Sequence, residues 1–347
     1  MEYRKLGRTD MEASVFCLGG MLFNLKQTHS DSHKQLDMAV ERGINFIDVA
    51  EMYPVNPLVA ETTGDSERVV GEWVQKSGKR DKMIIATKVS GEGYMNVRGG
   101  APISRATITE AVESSLKRLQ TDYIDIYQLH WPNRGTFHFR KYWEFDATSQ
   151  NTAEIVDNTL EILQTLQEFV DAGKIRHFGL SNDSAWGTMQ FLNIAEANGL
   201  PRVVTMQNEY NLINRLYDTD MAELSHNEDI GLITYSPLAT GLLTGKYSGD
   251  VTPKGSRRTR NPDLGGRLTA EAIAASDAYV AVAQKHGIDP VHMALAFCVE
   301  RPFMAAAIIG ASNIDQLSHI LDGADLRLND EINADILTVF RKYPRPM

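Results

Sequence analysis

The sequence predicts an α/β protein of the (β/α)8 TIM-barrel type, with an N-terminal β-hairpin and extra C-terminal helices. Three observations lead there. Short β-rich apolar runs alternate along the chain with longer segments whose apolar residues recur every three or four positions. Eight such short runs occur, the number that closes a barrel of this kind. The rival doubly wound fold would carry a complete glycine fingerprint after an early strand, and Gly91-Glu92-Gly93-Tyr94-Met95-Asn96 fails at its last position.

Taken in order, residues 2–5 and 12–16 flank Gly7-Arg8-Thr9-Asp10 and read as a hairpin able to plug the barrel floor. Barrel strands are expected at 15–18, 44–48, 83–88, 123–130, 175–181, 203–207, 232–236 and 306–309. Between them lie helical patterns. In 104–119, Ser104 is placed to cap the start, and Ile108, Val112, Leu116 and Leu119 form one apolar stripe. Leu160, Leu163, Leu166 and Val170 form another. Two patterns, 269–286 and 290–300, precede the last strand, so at least one helix is additional to the repeat. Residues 253–260 are basic and Gly265-Gly266 follow, but no linker divides the chain, and 1–347 is read as one barrel domain.

Hydrophobic residues make up 43% and charged residues 23%, which supports a large core. A net charge of -10 and a pI near 5.4 argue against a nucleic-acid partner, because the molecule repels a phosphate backbone. Cys17 and Cys298 are too few for a disulfide framework and sit in apolar runs, as buried reduced thiols do. The first residues lack a secretory apolar stretch and no run has the length of a membrane span, so a soluble cytoplasmic protein without a membrane partner is expected. No metal ligand set is singled out.

Barrel active sites gather at the C-terminal ends of the strands. Asp48 ends the second expected strand with Tyr53 in the loop after it, Lys88 ends the third, and His130 ends the fourth. Singly, each has a plain structural explanation as a cap, a packing residue or a satisfied side chain. Together they supply a proton donor, a cation to tune it, an anion to hold the cation, and a second polar group for a carbonyl.

Asp48-Val49-Ala50-Glu51-Met52-Tyr53, Thr87-Lys88 and Gln128-Leu129-His130 resemble, in order and separation, the catalytic tetrad segments of the aldo-keto reductases. The resemblance covers almost the whole chain. It is greatest to the bacterial Tas-type branch, which is related to the potassium-channel β-subunits. It implies NADP(H)-dependent reduction of an aldehyde or ketone to an alcohol, with hydride from the cofactor and a proton from Tyr53. Lys88 beside Tyr53 is expected to lower the phenol from its ordinary pKa near 10, with Asp48 holding Lys88 and His130 orienting the carbonyl. A cofactor-binding sensor of the channel-subunit type, with slow catalysis, is the alternative. A phosphate-sugar isomerase on the same barrel is a third reading and would need no nicotinamide.

The resemblance also implies where NADPH lies. Ser181, Asn182 and Gln207 correspond to residues that hold the nicotinamide carboxamide. Tyr235-Ser236-Pro237-Leu238-Ala239-Thr240-Gly241-Leu242-Leu243-Thr244-Gly245-Lys246 looks like the segment around nicotinamide and pyrophosphate. There Tyr235 offers a ring for stacking, small residues admit backbone donors, and Lys246 adds charge. Gly310-Ala311-Ser312-Asn313-Ile314-Asp315-Gln316 resembles the adenosine-phosphate clamp, with Ser312 and Gln316 carried over and a helix N-terminus favouring an anion. Arg257 or Arg258 is expected to reach a 2′-phosphate, which favours NADPH over NADH. His319 and Ile320 depart from the polar adenine contacts of the channel subunits.

The stretch after His130 is long for a connection and carries Trp131, Phe137, Phe139, Tyr142, Trp143 and Phe145. Some of these, Trp131 and Trp143 foremost, are expected to wall the pocket of a small carbonyl substrate; a surface loop with its own small core is the alternative. Asn208, Tyr210, Asn211 and Arg215 follow Gln207, and Arg215 is expected to brace its loop through carboxylates rather than meet an acidic substrate. Residues 52–63 form a further rim loop.

Overall fold

In the computed structural model, which describes residues 1–25, 28–55 and 59–347, the eight apolar runs pair in parallel and close into a barrel. The hairpin strands are β1 (Tyr3–Lys5) and β2 (Glu12–Ser14). The barrel strands are β3 (Phe16–Gly19), β4 (Phe46–Asp48), β5 (Ile84–Val89), β6 (Ile124–Leu129), β7 (Ile175–Ser181), β8 (Val203–Gln207), β9 (Gly231–Thr234) and β10 (Met304–Ile309). Neighbours follow chain order, with β10 closing on β3. Strand ends shift by one or two residues from those expected. β4 starts two residues late at Phe46, and β9 stops two early at Thr234 because the backbone turns at Ser236 into the left-handed region (φ 54°).

Alternate residues of each strand point into the barrel, and this period of two layers the interior. Cys17, Phe46, Ile84, Ala86, Ile126, Ile233 and Ala306 form one buried apolar cluster. Leu6, Met11 and Ala13 of the hairpin join it, so the hairpin plugs the floor. At Gly7 (φ 54°) a Cβ would stand 2.7 Å from the Val204 carbonyl oxygen, which is why the turn needs glycine there. Two residues further along the same faces the chain turns polar: Asp48 follows Phe46, Lys88 follows Ala86, and Gln128 follows Ile126. Pairing of Asp48 with Ala86 and of Lys88 with Gln128 sets these groups at the mouth, above an apolar floor.

Outer helices α1 (His29–Glu41), α2 (Asp65–Ser77), α3 (Arg105–Leu119), α4 (Thr152–Asp171), α5 (Ala185–Asn198) and α6 (Asp220–Glu228) alternate with strands β3 to β9. After β9 come α7 (Ala270–Lys285) and α8 (Pro290–Val299), and after β10 come α9 (Ile314–Asp322) and α10 (Asp330–Lys342), so the additions fall late in the chain. Ser104 and Thr107 form a reciprocal capping box on α3, whose stripe Ile108, Val112, Leu116 and Leu119 is buried. On α4 the buried face is rotated from the one expected. Ile162, Leu163, Leu166 and Phe169 form its centre, because the large Ile162 and Phe169 lie seven residues apart on one side; Leu160 and Val170 sit at its margins. Cys17 and Cys298 are free and buried. Among the described residues no helix is long and apolar enough to cross a membrane.

Candidate active site

The polar layer at the barrel mouth is a closed network. Lys88 is wholly buried; its Nζ donates to Asp48 Oδ2 at 2.7 Å and to the Val49 carbonyl at 2.7 Å. Asp48 Oδ1 accepts from Gln207 Nε2 at 2.8 Å and from Gln128 Nε2 at 3.2 Å, and Gln207 Nε2 also donates to Gln128 Oε1 at 3.1 Å. Burying a charge costs several kcal/mol unless a countercharge and hydrogen bonds compensate, and here both ions have them. Lys88 Nζ stands 5.0 Å from the centroid of the Tyr53 ring. The Tyr53 and His130 rings meet edge to face, their centroids 5.6 Å apart. Asp48, Tyr53, Lys88 and His130 are thus gathered around one point.

Their protonation differs in one respect from the sequence expectation. Burial, then the Asp48 carboxylate and Tyr235, hold the Tyr53 phenol well above its ordinary value rather than below it. The larger reason is burial, which strips the phenolate of its hydration; the Asp48 carboxylate adds to it by acting on the phenol with the sign opposite to that of Lys88. His130 is kept well below its ordinary value, first by burial and then by the Lys88 charge, so its imidazole is neutral. Its Nδ1 is buried without a hydrogen-bond partner.

Beside this network the polar groups at the ends of β7, β8 and β9 are tied to one another. Ser181 Oγ donates to the Gln207 carbonyl at 2.8 Å; Asn182 Nδ2 donates to the His130 carbonyl at 2.9 Å; Tyr235 Oη donates to Asn182 Oδ1 at 2.8 Å. Gln207 spends its amide on Asp48 and Gln128, a bracing role that sequence reasoning did not give it.

The segment after Tyr235 winds through positive φ at Ser236, Ala239, Thr240, Gly241 and Gly245. Ala239, Leu242 and Leu243 are buried in the main core and anchor it, so they offer a ligand backbone rather than side chains. At Gly241 a Cβ would lie 2.6 Å from Lys246 Nζ, which folds back over the glycine. Burial and then the charge of Arg257 lower Lys246, while burial and then Arg267 push Arg257 down to about 10. The Arg257 Nε is buried without a partner, and no carboxylate of the described residues pairs with Arg257 or Lys246. Arg258 is engaged instead, through Asp250 Oδ1 and the Asp250 and Val251 carbonyls. Two partly desolvated cations that make no ion pair among the described residues, beside a loop of turned-out backbone, fit the phosphates of a dinucleotide. Past β10, Gly310, Ser312 and Gln316 are exposed at the start of α9, with the Ser312 backbone N–H donating to Gln316 Oε1 at 3.0 Å.

The family model described as the aldo/keto reductase family matches residues 15–339. The chain belongs to this family. It is 43% identical to Protein tas of Escherichia coli, with 100% of this chain and 99% of that protein covered. It is 31% identical to the aldo-keto reductase YhdN of Bacillus subtilis, over 98% of this chain and 93% of that one. A putative voltage-gated potassium channel subunit beta of Schizosaccharomyces pombe is 30% identical over 91% of this chain and 86% of its own. The resemblance to an oxidoreductase family with both bacterial and channel-subunit relatives is therefore substantiated.

In this aldo/keto reductase the aromatic loop divides. The Trp131 ring lies 5.0 Å from that of His130, and its Nε1 donates to the Glu92 carbonyl at 3.0 Å. Trp143 is 67% exposed and turns away from the position expected of it: its Nε1 donates to the Met347 carbonyl at 3.2 Å, and Arg345 covers its ring. Arg215 braces its loop, as expected, through Asp218 Oδ2 at 2.5 Å and by lying over Phe340. Asn208, Tyr210 and Asn211 likewise bond within the protein, to the Asp183 carbonyl, Asp218 and the Ser236 carbonyl. Of the rim loop 52–63, residues 56–58 lie outside the described residues.

Two further features escaped sequence reasoning. Gln128 braces Asp48, and its signal was present, since it continues the inward row of Ile126 two residues on. The buried pair of Arg267 Nε with Glu209 Oε1 at 2.7 Å, which Arg140 joins at 3.3 Å, links residues far apart in sequence and left no local signal.

Proposed function

We propose that this protein is an NADP(H)-dependent oxidoreductase that reduces an aldehyde or ketone to the alcohol, with Tyr53 as the proton donor. The observation that carries this reading is the buried Asp48–Lys88 pair gathered with the Tyr53 and His130 rings at the barrel mouth. When bound, the nicotinamide supplies the hydride for the carbonyl carbon. Tyr53, held protonated, gives its proton to the carbonyl oxygen as charge develops there. The Lys88 ammonium favours the phenolate left behind, and water returns the proton to it. Neutral His130 presents one ring N–H to the same oxygen and orients the carbonyl. Asp48, itself held by Gln128 and Gln207, keeps Lys88 from tilting away.

Lys246 and Arg257 are assigned to the cofactor phosphates, with Arg257 rather than Arg258 favouring a 2′-phosphate and hence NADPH over NADH. Ser181, Asn182 and, through the Oε1 that its bonds to Asp48 and Gln128 leave unused, Gln207 are assigned to the carboxamide, Tyr235 to stacking, and Gly310, Ser312 and Gln316 to the adenosine end. Trp131 is the pocket wall nearest His130. In this reading the chain works as one barrel domain in the cytoplasm on a small carbonyl compound, without nucleic acid or membrane; the charge of -10 supports the exclusion of nucleic acid.

Steady-state NADPH oxidation over a panel of aldehydes, ketones and sugars tests the proposal. Saturable turnover with at least one class is the expected result. Tight NADPH binding with no turnover would favour the sensor reading, for which the similarity to a channel β-subunit speaks. Absence of nicotinamide binding would overturn both.

A further inference from the structure

In the outer helical layer, Asp289, His292 and His319 bring one ligand atom each to within 4.8 Å of one another. Asp289 and His292 belong to the start of α8 and His319 to the last turn of α9. We propose that these three side chains form a binding site for a divalent cation of the zinc type, which staples α8 to α9. The site lies on helices outside the tetrad, and because His319 stands where the channel subunits contact adenine, its test is made without cofactor.

The carboxylate is already oriented. Asp289 Oδ1 accepts from the Val291 and His292 backbone N–H groups at 2.7 and 3.3 Å, as the cap of α8. Its other oxygen stands 3.2 Å from His319 Nε2. Two ligand atoms held about 2.0–2.1 Å from one tetrahedral zinc ion are themselves about 3.3 Å apart, so this separation suits a shared ion as well as a shared proton.

His292 is fixed from two sides. Its Nε2 lies 2.7 Å from the His319 carbonyl oxygen, which can only accept, so Nε2 carries the hydrogen and Nδ1 keeps the lone pair. A backbone carbonyl that sets the tautomer in this way is the usual outer support of a metal-binding imidazole. Gly323 packs against the ring so closely that a Cβ there would fall 2.2 Å from His292 Cγ. The two imidazole rings lie 4.9 Å apart, inclined by 33°.

Access is open, with the His319 side chain 50% and the Asp289 side chain 34% exposed, so an entering ion retains water in its remaining position. Two imidazoles and one carboxylate favour zinc, nickel or copper over magnesium or calcium, which prefer all-oxygen sites.

The test uses the full-length chain freed of metal with EDTA, titrated with ZnCl2 by calorimetry and with CoCl2 by visible absorption. Expected are one zinc ion per chain, a cobalt spectrum of low coordination number, and a melting temperature that rises with zinc. His292→Ala and His319→Ala should each weaken zinc binding by roughly tenfold or more, with unchanged circular dichroism. Gly323→Ala, which retains all three ligands but displaces His292, should weaken it too. Absence of zinc binding to the wild-type chain, leaving Asp289 and His319 as an ion pair only, would overturn the proposal. So would binding that the three variants leave unaltered.

Discussion

Replacing Lys88 by methionine retains the side-chain stem and deletes the ammonium. Asp48, almost wholly buried, would keep its bonds from Gln128 and Gln207 but lose the one positive charge 2.7 Å away. Leaving one member of a buried pair uncompensated costs on the order of 3–5 kcal/mol. At about 2 °C per kcal/mol for a chain of this size, the melting temperature should fall by roughly 6–10 °C. Adding Asp48→Asn to the same molecule removes the stranded charge and leaves a carbonyl oxygen to accept from the two glutamines. The double variant should therefore recover most of the loss. Scanning calorimetry of the three proteins decides the matter: a Lys88→Met variant as stable as wild type, or one that Asp48→Asn does not restore, would refute the view that the pair compensates itself.

Other consequences are as specific. Arg257→Leu should weaken NADPH binding about 10- to 100-fold, the worth of a charge-assisted hydrogen bond, and spare NADH, whereas Arg258→Leu should do little because Arg258 is held by Asp250; calorimetric titration of both cofactors separates them. His130 takes up its proton below the ordinary value of 6.5, so the unfolded chain is protonated first as pH falls. Its contribution to stability is thus complete above about pH 6.5 and is lost progressively below it, and His130→Gln should flatten that part of the profile in urea melts between about pH 7.5 and 5.5. Trp131→Ala should alter KM across a carbonyl panel, while Trp143→Ala, whose ring faces Met347 and Arg345, should leave it unchanged.

The barrel is legible in the sequence because its strands are short apolar runs and its helices carry stripes, and both periodicities are local. The polar layer is legible for a related reason, since Asp48, Lys88 and His130 stand where apolar runs end. The α4 stripe differs by part of a turn because Leu160 and Val170 share the spacing of the true face, and only packing shows that Ile162 and Phe169 lie at its centre. The Tyr53 phenol shifts against expectation because burial at the closed barrel mouth, which only the folded chain creates, acts first and the Asp48 carboxylate adds to it. Trp143 sits in a loop whose neighbour is the C-terminal tail, a contact across 204 positions that no window along the chain can contain. Arg257 and Arg258 are indistinguishable in sequence; Asp250 separates them in space.

The proton-donor role of Tyr53 is tested most directly by Tyr53→Phe, measured for NADPH binding and for single-turnover reduction of the best carbonyl substrate. The substitution removes only the hydroxyl, and the Asp48–Lys88 pair beside the ring remains. Binding should stay close to wild type while the reduction rate falls by about 10²- to 10⁴-fold, equivalent to about 3–5 kcal/mol in the barrier. Reduction by Tyr53→Phe at near the wild-type rate would contradict the assignment.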